Sequence, residues 1–140
     1  MIRGACLCGA VTVTVAQAPE GVGACHCRMC QTWAGGLFLS FPARPEDVQV
    51  SGPVRLHASS SFAQRAFCER CGTHLWMRDT EEGADYDLVP GLFEAVRDWP
   101  LTSEIYTDCA FASVRLDGDH PRATRAEYEA NNNHVPGGDA

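Results

Sequence analysis

Seven of the eight cysteines in this 140-residue chain fall into three tight groups. They are "CLC" at Cys6 and Cys8, "CHCRMC" at Cys25, Cys27 and Cys30, and "CERC" at Cys68 and Cys71. Cys109 stands alone. The groups lie far apart in sequence, so any shared use of their sulfurs demands a fold that brings distant turns together. The N-terminal "MIRGACLCGA" has no long apolar stretch after its basic residue, which reads as a cytoplasmic chain without a secretory signal. In that compartment thiols stay reduced, and close cysteine spacings point to metal or catalysis rather than to a disulfide framework. A C-x-C pair is also poorly placed to bridge to itself, because disulfide geometry is narrow.

The spacings suggest how the thiols point. In an extended segment residues i and i+2 share a face, so Cys6 with Cys8, and Cys25 with Cys27, can each grip one ion, with His26 turned away. "CERCGTHL" reads as a zinc-knuckle turn, in which the glycine permits the bend and amides inside the turn donate to thiolate. Two C-x-x-C pairs in one chain are a strong signal for zinc. Spacing does not fix the partition. A zinc-ribbon arrangement would join Cys27 and Cys30 to Cys68 and Cys71 and leave three thiols over. Four plus three uses all seven: Cys6, Cys8, Cys68 and Cys71 as a closed site, and Cys25, Cys27 and Cys30 as a three-ligand site on a tight loop. A closed site is structural, and three ligands with an open position are the form of a catalytic zinc. A second structural zinc, closed by Cys109 or His26, is the alternative for the smaller group.

Alternating segments such as "AVTVTVA", "VRLHASSS" and the pair within "QRAFCERCGTHLWMR" predict short strands, as does "GLFLSFPA", with Leu37, Leu39 and Phe41 on one face and Phe38 on the other. "RPEDVQVSG" reads as a turn entering a strand, "YDLVPGLF" as a strand broken at Pro90, and "SEIYTDCAFASVRL" as weakly extended. Only "RATRAEYEAN" reads as helical. The expectation is a mostly β fold of short antiparallel strands with a short C-terminal helix, one domain over 1–130 and a mobile tail over 131–140. The net charge of -7, with no run of Lys or Arg, argues against a grip on nucleic acid or on anionic membrane. No apolar run approaches the roughly 20 residues that span a bilayer.

"GACLCGAVTV", "CHCRMCQTWAGG" and "FCERCGTHLW" resemble, in order and separation, the three signature blocks of the glutathione-dependent formaldehyde-activating enzyme family, which includes the centromere protein V relatives. The resemblance covers roughly residues 3 to 115. It implies a β-tent type zinc-binding domain with two zinc ions per chain. One would be structural on Cys6, Cys8, Cys68 and Cys71; the other would be catalytic on Cys25, Cys27 and Cys30, its fourth position open to a substrate thiol. The implied activity is that of a carbon-sulfur lyase acting on a thiol–aldehyde adduct, with glutathione or a similar small thiol and an aldehyde as partners. Three cysteinates leave such a zinc site with a charge of -1, so cations such as Arg28, Arg65 or Arg70 are candidates to compensate a fourth thiolate. Where many relatives carry a histidine and then a tryptophan, the late block has Glu104 and no tryptophan. A non-catalytic zinc-stabilised interaction or ligand-binding module is the other function class. His57 and His74 read as packing or surface residues on strands, and His120 and His134 as lying in polar, mobile context. Trp33 could wall a pocket or pack in the core.

Overall fold

A computed structural model describes residues 1–136. In chain order the elements are β1 (Ile2–Ala5), β2 (Thr12–Val15), β3 (Val22–Cys25), α1 (Arg28–Ala34), β4 (Phe38–Ala43), β5 (Val48–Ser51) and β6 (Val54–Ala58). Then follow β7 (Ala63–Cys68), β8 (His74–Asp79), β9 (Tyr86–Leu88), β10 (Leu101–Ile105), β11 (Arg122–Ala123) and α2 (Arg125–Glu129). The fold is mostly β, as the alternating segments predict. Part of the tail expected over 131–140 lies outside the described residues. No described helix is long and apolar enough to cross a membrane.

The chain forms two compact units. The first comprises Met1–Glu20 and Ser40–Trp99. In it β1, β2 and β5 make an antiparallel sheet, with Val13 opposite both Gly4 and Val50. The alternation of "TVTV" puts Val13 and Val15 inside and leaves the threonines half-buried. A longer antiparallel ladder runs through β4, β9, β8, β7 and β6. Phe41, Leu75 and Leu88 are fully buried, and Phe41 meets Phe93 and Trp99 edge-on at 5.3 and 5.2 Å. The β7–β8 register shifts between Ala66 and Phe67, so Trp76 faces Ala66 while His74 faces Phe67. Beyond that bulge lies the "CERCG" turn. There Gly72 has φ 75°, a left-handed conformation that glycine adopts without steric penalty. Phe38 and Phe41 are both buried, so both faces of β4 are covered where alternation alone set them on opposite sides.

The second unit comprises Gly21–Leu39 and the described residues from Pro100 onward. Here β10 pairs in parallel with both β3 and β11, a departure from the all-antiparallel expectation. Parallel pairing needs a long connection, and the chain between β3 and β10 supplies it. The "tight loop" after Cys27 is a correction of the same kind: Arg28–Ala34 is helical. Its N-cap is Cys27, whose sulfur accepts from the Cys30 N–H, and it ends at Gly35. A seven-residue helix shows little periodicity, and a cysteine cap is not among the usual Ser, Thr, Asp or Asn start signals.

Candidate metal centres

Two groups of thiols converge, one in each unit. In the first unit the sulfurs of Cys6, Cys8, Cys68 and Cys71 all lie within 4.8 Å of one another. Cys6 follows β1, Cys68 ends β7, and Cys71 sits in the turn before β8. The turn is closed by Gly72 N–H donating to Cys68 O at 2.8 Å and Cys68 N–H donating to Thr73 O at 2.9 Å. Cys6 and Cys8 sulfurs are 3.6 Å apart, and those of Cys8 and Cys68 are 3.8 Å apart. These are far beyond a disulfide bond of about 2.0 Å. They match the edge of a tetrahedron with metal–sulfur bonds of about 2.3 Å, which is about 3.8 Å.

The surrounding donors fit a thiolate cluster. Val11 N–H donates to Cys6 Sγ at 3.2 Å inside the fold. The Thr73 hydroxyl accepts from Leu7 N–H at 3.2 Å and lies 3.1 Å from Cys71 Sγ, tying the two cysteine turns together. Hydrogen bonds from Thr73, by hydroxyl and by backbone, bring Cys71 down to about 5. Cys8 goes the other way, up to about 11. A backbone bond at Ala10 favours its thiolate, but desolvation and the neighbouring sulfurs outweigh it. Sulfurs this crowded cannot all ionise without a cation among them, so the donor set fits a soft divalent metal.

In the second unit Cys25, Cys27 and Cys30 bring three sulfurs within 4.8 Å of one another. No other His, Cys, Asp or Glu among the described residues joins that group, and neither His26 nor Cys109 is in it. Cys25 ends β3 opposite Ile105 of β10. Cys27 caps α1, and Cys30 lies one turn into the helix, its N–H donating to Cys27 Sγ at 3.4 Å. Cys27 and Cys30 raise the Cys25 thiol far above its ordinary range, with burial adding to the effect. Three packed, partly desolvated thiols again fit a cation as common partner. The Cys109 carbonyl accepts from Gln31 Nε2 at 3.0 Å, so Cys109 serves α1 through its backbone.

Beside these thiols lies a polar cluster that sequence reading missed. Glu104, 5% exposed, accepts from three side chains. His26 Nε2 donates to Oε1 at 2.8 Å, while His120 Nε2 and Arg122 Nε donate to Oε2 at 2.5 and 2.9 Å. Burial pushes the Glu104 carboxyl up, but the bonds from His120 and His26 and the charge of Arg122 prevail and hold it below the usual carboxylate range. His120, placed by its polar neighbours in a mobile segment, is a correction: its side chain is buried on Glu104. The signal for this cluster is long-range, since His26 and the carboxylate it bonds are 78 positions apart. The next residue but one, Tyr106, has φ 57° and ψ 41°, left-handed for a bulky residue. Its hydroxyl donates to Glu129 at 3.1 Å, and its ring meets that of Tyr128 at 5.3 Å. Burial and the Glu129 carboxylate push its phenol up, with Cys27 and Cys25 adding to the shift. Arg65, one of the cations weighed as a charge partner, is a buried residue of β7 in the first unit.

A mostly β fold carrying one group of four thiols and one of three defines a class of cysteine-cluster proteins in which both groups could hold metal. A family model described as "Glutathione-dependent formaldehyde-activating enzyme" matches residues 1–109, and the chain belongs to that family. A Schizosaccharomyces pombe protein named an uncharacterized lyase is 30% identical over 107 residues, spanning 76% of this chain and 78% of the relative. A Halomonas elongata protein named a candidate glutathione-dependent formaldehyde-activating enzyme is 28% identical over 89 residues, 56% of this chain and 57% of that protein. A crystal structure of a Rhodobacter sphaeroides protein shares the fold, with a TM-score of 0.57 and 22% identity over 72% of this chain and all of that one.

Proposed function

We propose that the protein is a zinc-dependent carbon-sulfur lyase that joins or separates a small thiol, such as glutathione, and an aldehyde. On this reading Cys6, Cys8, Cys68 and Cys71 hold a structural zinc, and Cys25, Cys27 and Cys30 hold a second one at the reaction site. The observation that carries it is the three-thiol group with no fourth His, Cys, Asp or Glu among the described residues. A zinc ion bound there would supply a low thiol pKa and a fixed sulfur position.

This chain's own residues do the rest. Cys25 at the end of β3 and Cys27 at the head of α1 present sulfurs from two different elements, so the group keeps its shape without a fourth protein ligand. The Cys30 N–H donates toward Cys27 Sγ and offsets part of the thiolate charge. His26 is held away by Glu104, its Nε2 committed at 2.8 Å. In the overall reaction the thiol sulfur bonds to the aldehyde carbon, the carbonyl becomes a hydroxyl, and the thiol proton ends on that oxygen. The reverse breaks the carbon–sulfur bond and returns both reactants.

Calorimetry with glutathione and with S-methylglutathione, in buffers of different ionisation enthalpy, tests this. Glutathione should bind with release of a proton, because metal takes thiolate rather than thiol. S-methylglutathione should lose most of the affinity. Equal binding of both without proton release would refute sulfur-on-metal chemistry and favour a non-catalytic ligand-binding module.

A further inference from the structure

We propose that Glu104 is a positioning residue for the three-thiol site: its buried carboxylate, anchored by His120 and Arg122, clamps His26 and thereby sets how Cys25 and Cys27 present their sulfurs. The inference rests on the reading that these cysteines hold zinc.

His26 is the one residue between the first two thiols, and it is held twice. Its backbone N–H donates to Ile105 O at 3.1 Å, and its ring donates to Glu104 Oε1 at 2.8 Å. Glu104 and Ile105 are neighbours on β10, where Ile105 pairs with Cys25 and Glu104 with Ala24. Main chain and side chain of the middle residue are therefore pinned to one strand. In an extended C-x-C segment, the residue between the cysteines points opposite to both of them. Fixing the His26 ring on one side fixes the direction of two sulfurs on the other.

The clamp is rigid because the carboxylate is fully engaged. His26 is 2% exposed and Glu104 5%. A carboxylate so buried is stable only when its lone pairs are met by donors, and here three donors converge. Removing the carboxylate takes the acceptor from two buried histidine rings, so the members act together. A four-thiol site is held by its own four ligands. A three-thiol site has one tether fewer, and this cluster supplies the missing stiffness without occupying a ligand position. His120 and Arg122 lie beyond residue 109, where the family match ends, so this chain's later segment contributes to a site whose ligands lie within the match.

The test follows zinc release to a chromophoric chelator from the full-length, two-zinc protein. Wild type should give a slow phase from the four-thiol site and a fast phase from the three-thiol site, the latter absent in Cys27→Ser. Glu104→Gln should accelerate the fast phase by about tenfold or more, the usual scale for losing a supporting partner of a metal site. Its slow phase should stay unchanged, which separates positioning from general destabilisation. Cobalt placed in the three-thiol site should show altered ligand-field bands in Glu104→Gln. His120→Gln and Arg122→Gln, each removing one anchor, should accelerate the fast phase by a smaller factor. If Glu104→Gln unfolds and releases both ions at once, these two variants decide, and an unchanged fast phase in both overturns the proposal. An unchanged fast phase and cobalt spectrum in folded Glu104→Gln overturn it while leaving the zinc reading intact. A wild type that holds one zinc, undisturbed by Cys27→Ser, overturns the zinc reading and this inference with it.

Discussion

Cys68→Ser and Cys27→Ser should differ sharply in stability, and the difference follows from chain geometry. Cys8 and Cys68 are 60 positions apart with sulfurs 3.8 Å from each other. Cross-linking a loop of that length removes about 4 kcal/mol of chain entropy from the unfolded state, taking the disulfide relation as a guide for a metal link. Cys25 and Cys30 close a loop of only five positions, worth about 2 kcal/mol by the same relation. Cys68 is also fully buried, so a serine hydroxyl there needs a partner that the sulfur cluster does not offer, at a further cost of about 1–3 kcal/mol. Cys27 differs again, because it caps α1, and serine is a better helix cap than most residues. Cys68→Ser should therefore lose about 5 kcal/mol or more, comparable with the whole net stability of many domains. At about 2–4 °C per kcal/mol, the melting temperature should fall by roughly 10–20 °C. Cys27→Ser should fall by less than half of that and lose one zinc. Melts followed by circular dichroism, with zinc per chain measured by mass spectrometry, decide. Equal falls in the two variants, or Cys68→Ser retaining two zinc ions, would refute the reasoning.

Metal analysis of carefully purified protein should find close to two zinc ions per chain; one tightly held ion would remove the three-thiol site from the account. Burial, with Asp79 and Asp85 adding, raises Asp87 to about 6, while burial lowers His74 to about 4. The raised Asp87 makes stability fall as pH rises from about 4 to 6, and the depressed His74 makes it fall as pH drops from about 6.5 to 4. The two slopes oppose each other in the wild type. Urea melts at pH 5 and 7 should therefore show Asp87→Asn losing stability on acidification more steeply than wild type, and His74→Gln less steeply. Subtracting the wild-type profile removes any acid effect at the cysteines common to all three proteins, and parallel profiles would contradict the assignment. Tyr106→Phe, which removes the bond to Glu129, should cost about 1 kcal/mol in a denaturant melt and leave the zinc content unchanged.

The strands were legible wherever one face is buried. "TVTV" alternates because β2 has an inner and an outer side, and "QRAFCERCGTHLWMR" folds as strand, turn, strand because its glycine sits at the one left-handed position of the turn. β6 shows the limit: its alternation suggests a half-buried strand, yet only Val54 is even half-buried, and its order comes from pairing with β7. The gathering of thiols into a four and a three was readable as an economy of seven ligands, though spacing alone also allowed a ribbon partition. What could not be read was strand pairing, and side-chain contact other than among the thiols, between distant segments. β3 is four residues long and carries no alternating signature strong enough to mark it, and β11 is two residues long. β11 pairs with β10 alone, and β3 takes its place from the strands beside it in the sheet. Glu104, His120 and Arg122 look like ordinary charged surface positions until β10 carries the carboxylate inward.

The contrast between the two thiol groups bears on which parts of the chain are free to change. The four-thiol group draws its sulfurs from two turns far apart in sequence, linked additionally through Thr73. On the proposed reading, disturbing either turn should disturb the fold of the first unit. The three-thiol group is local in sequence, and its ligands need no distant partner to come together. Its order depends instead on what packs behind it: Ile105 on Cys25, Glu104 on His26, and then His120 and Arg122 on Glu104. Each of those contacts is one step further from the sulfurs. If the three thiols hold a metal as proposed, substitutions along that series should change stiffness and electrostatics at the site without removing a ligand. On the proposed reading, Glu104, His120 and Arg122 are the positions at which reactivity can be adjusted while both thiol groups stay in place.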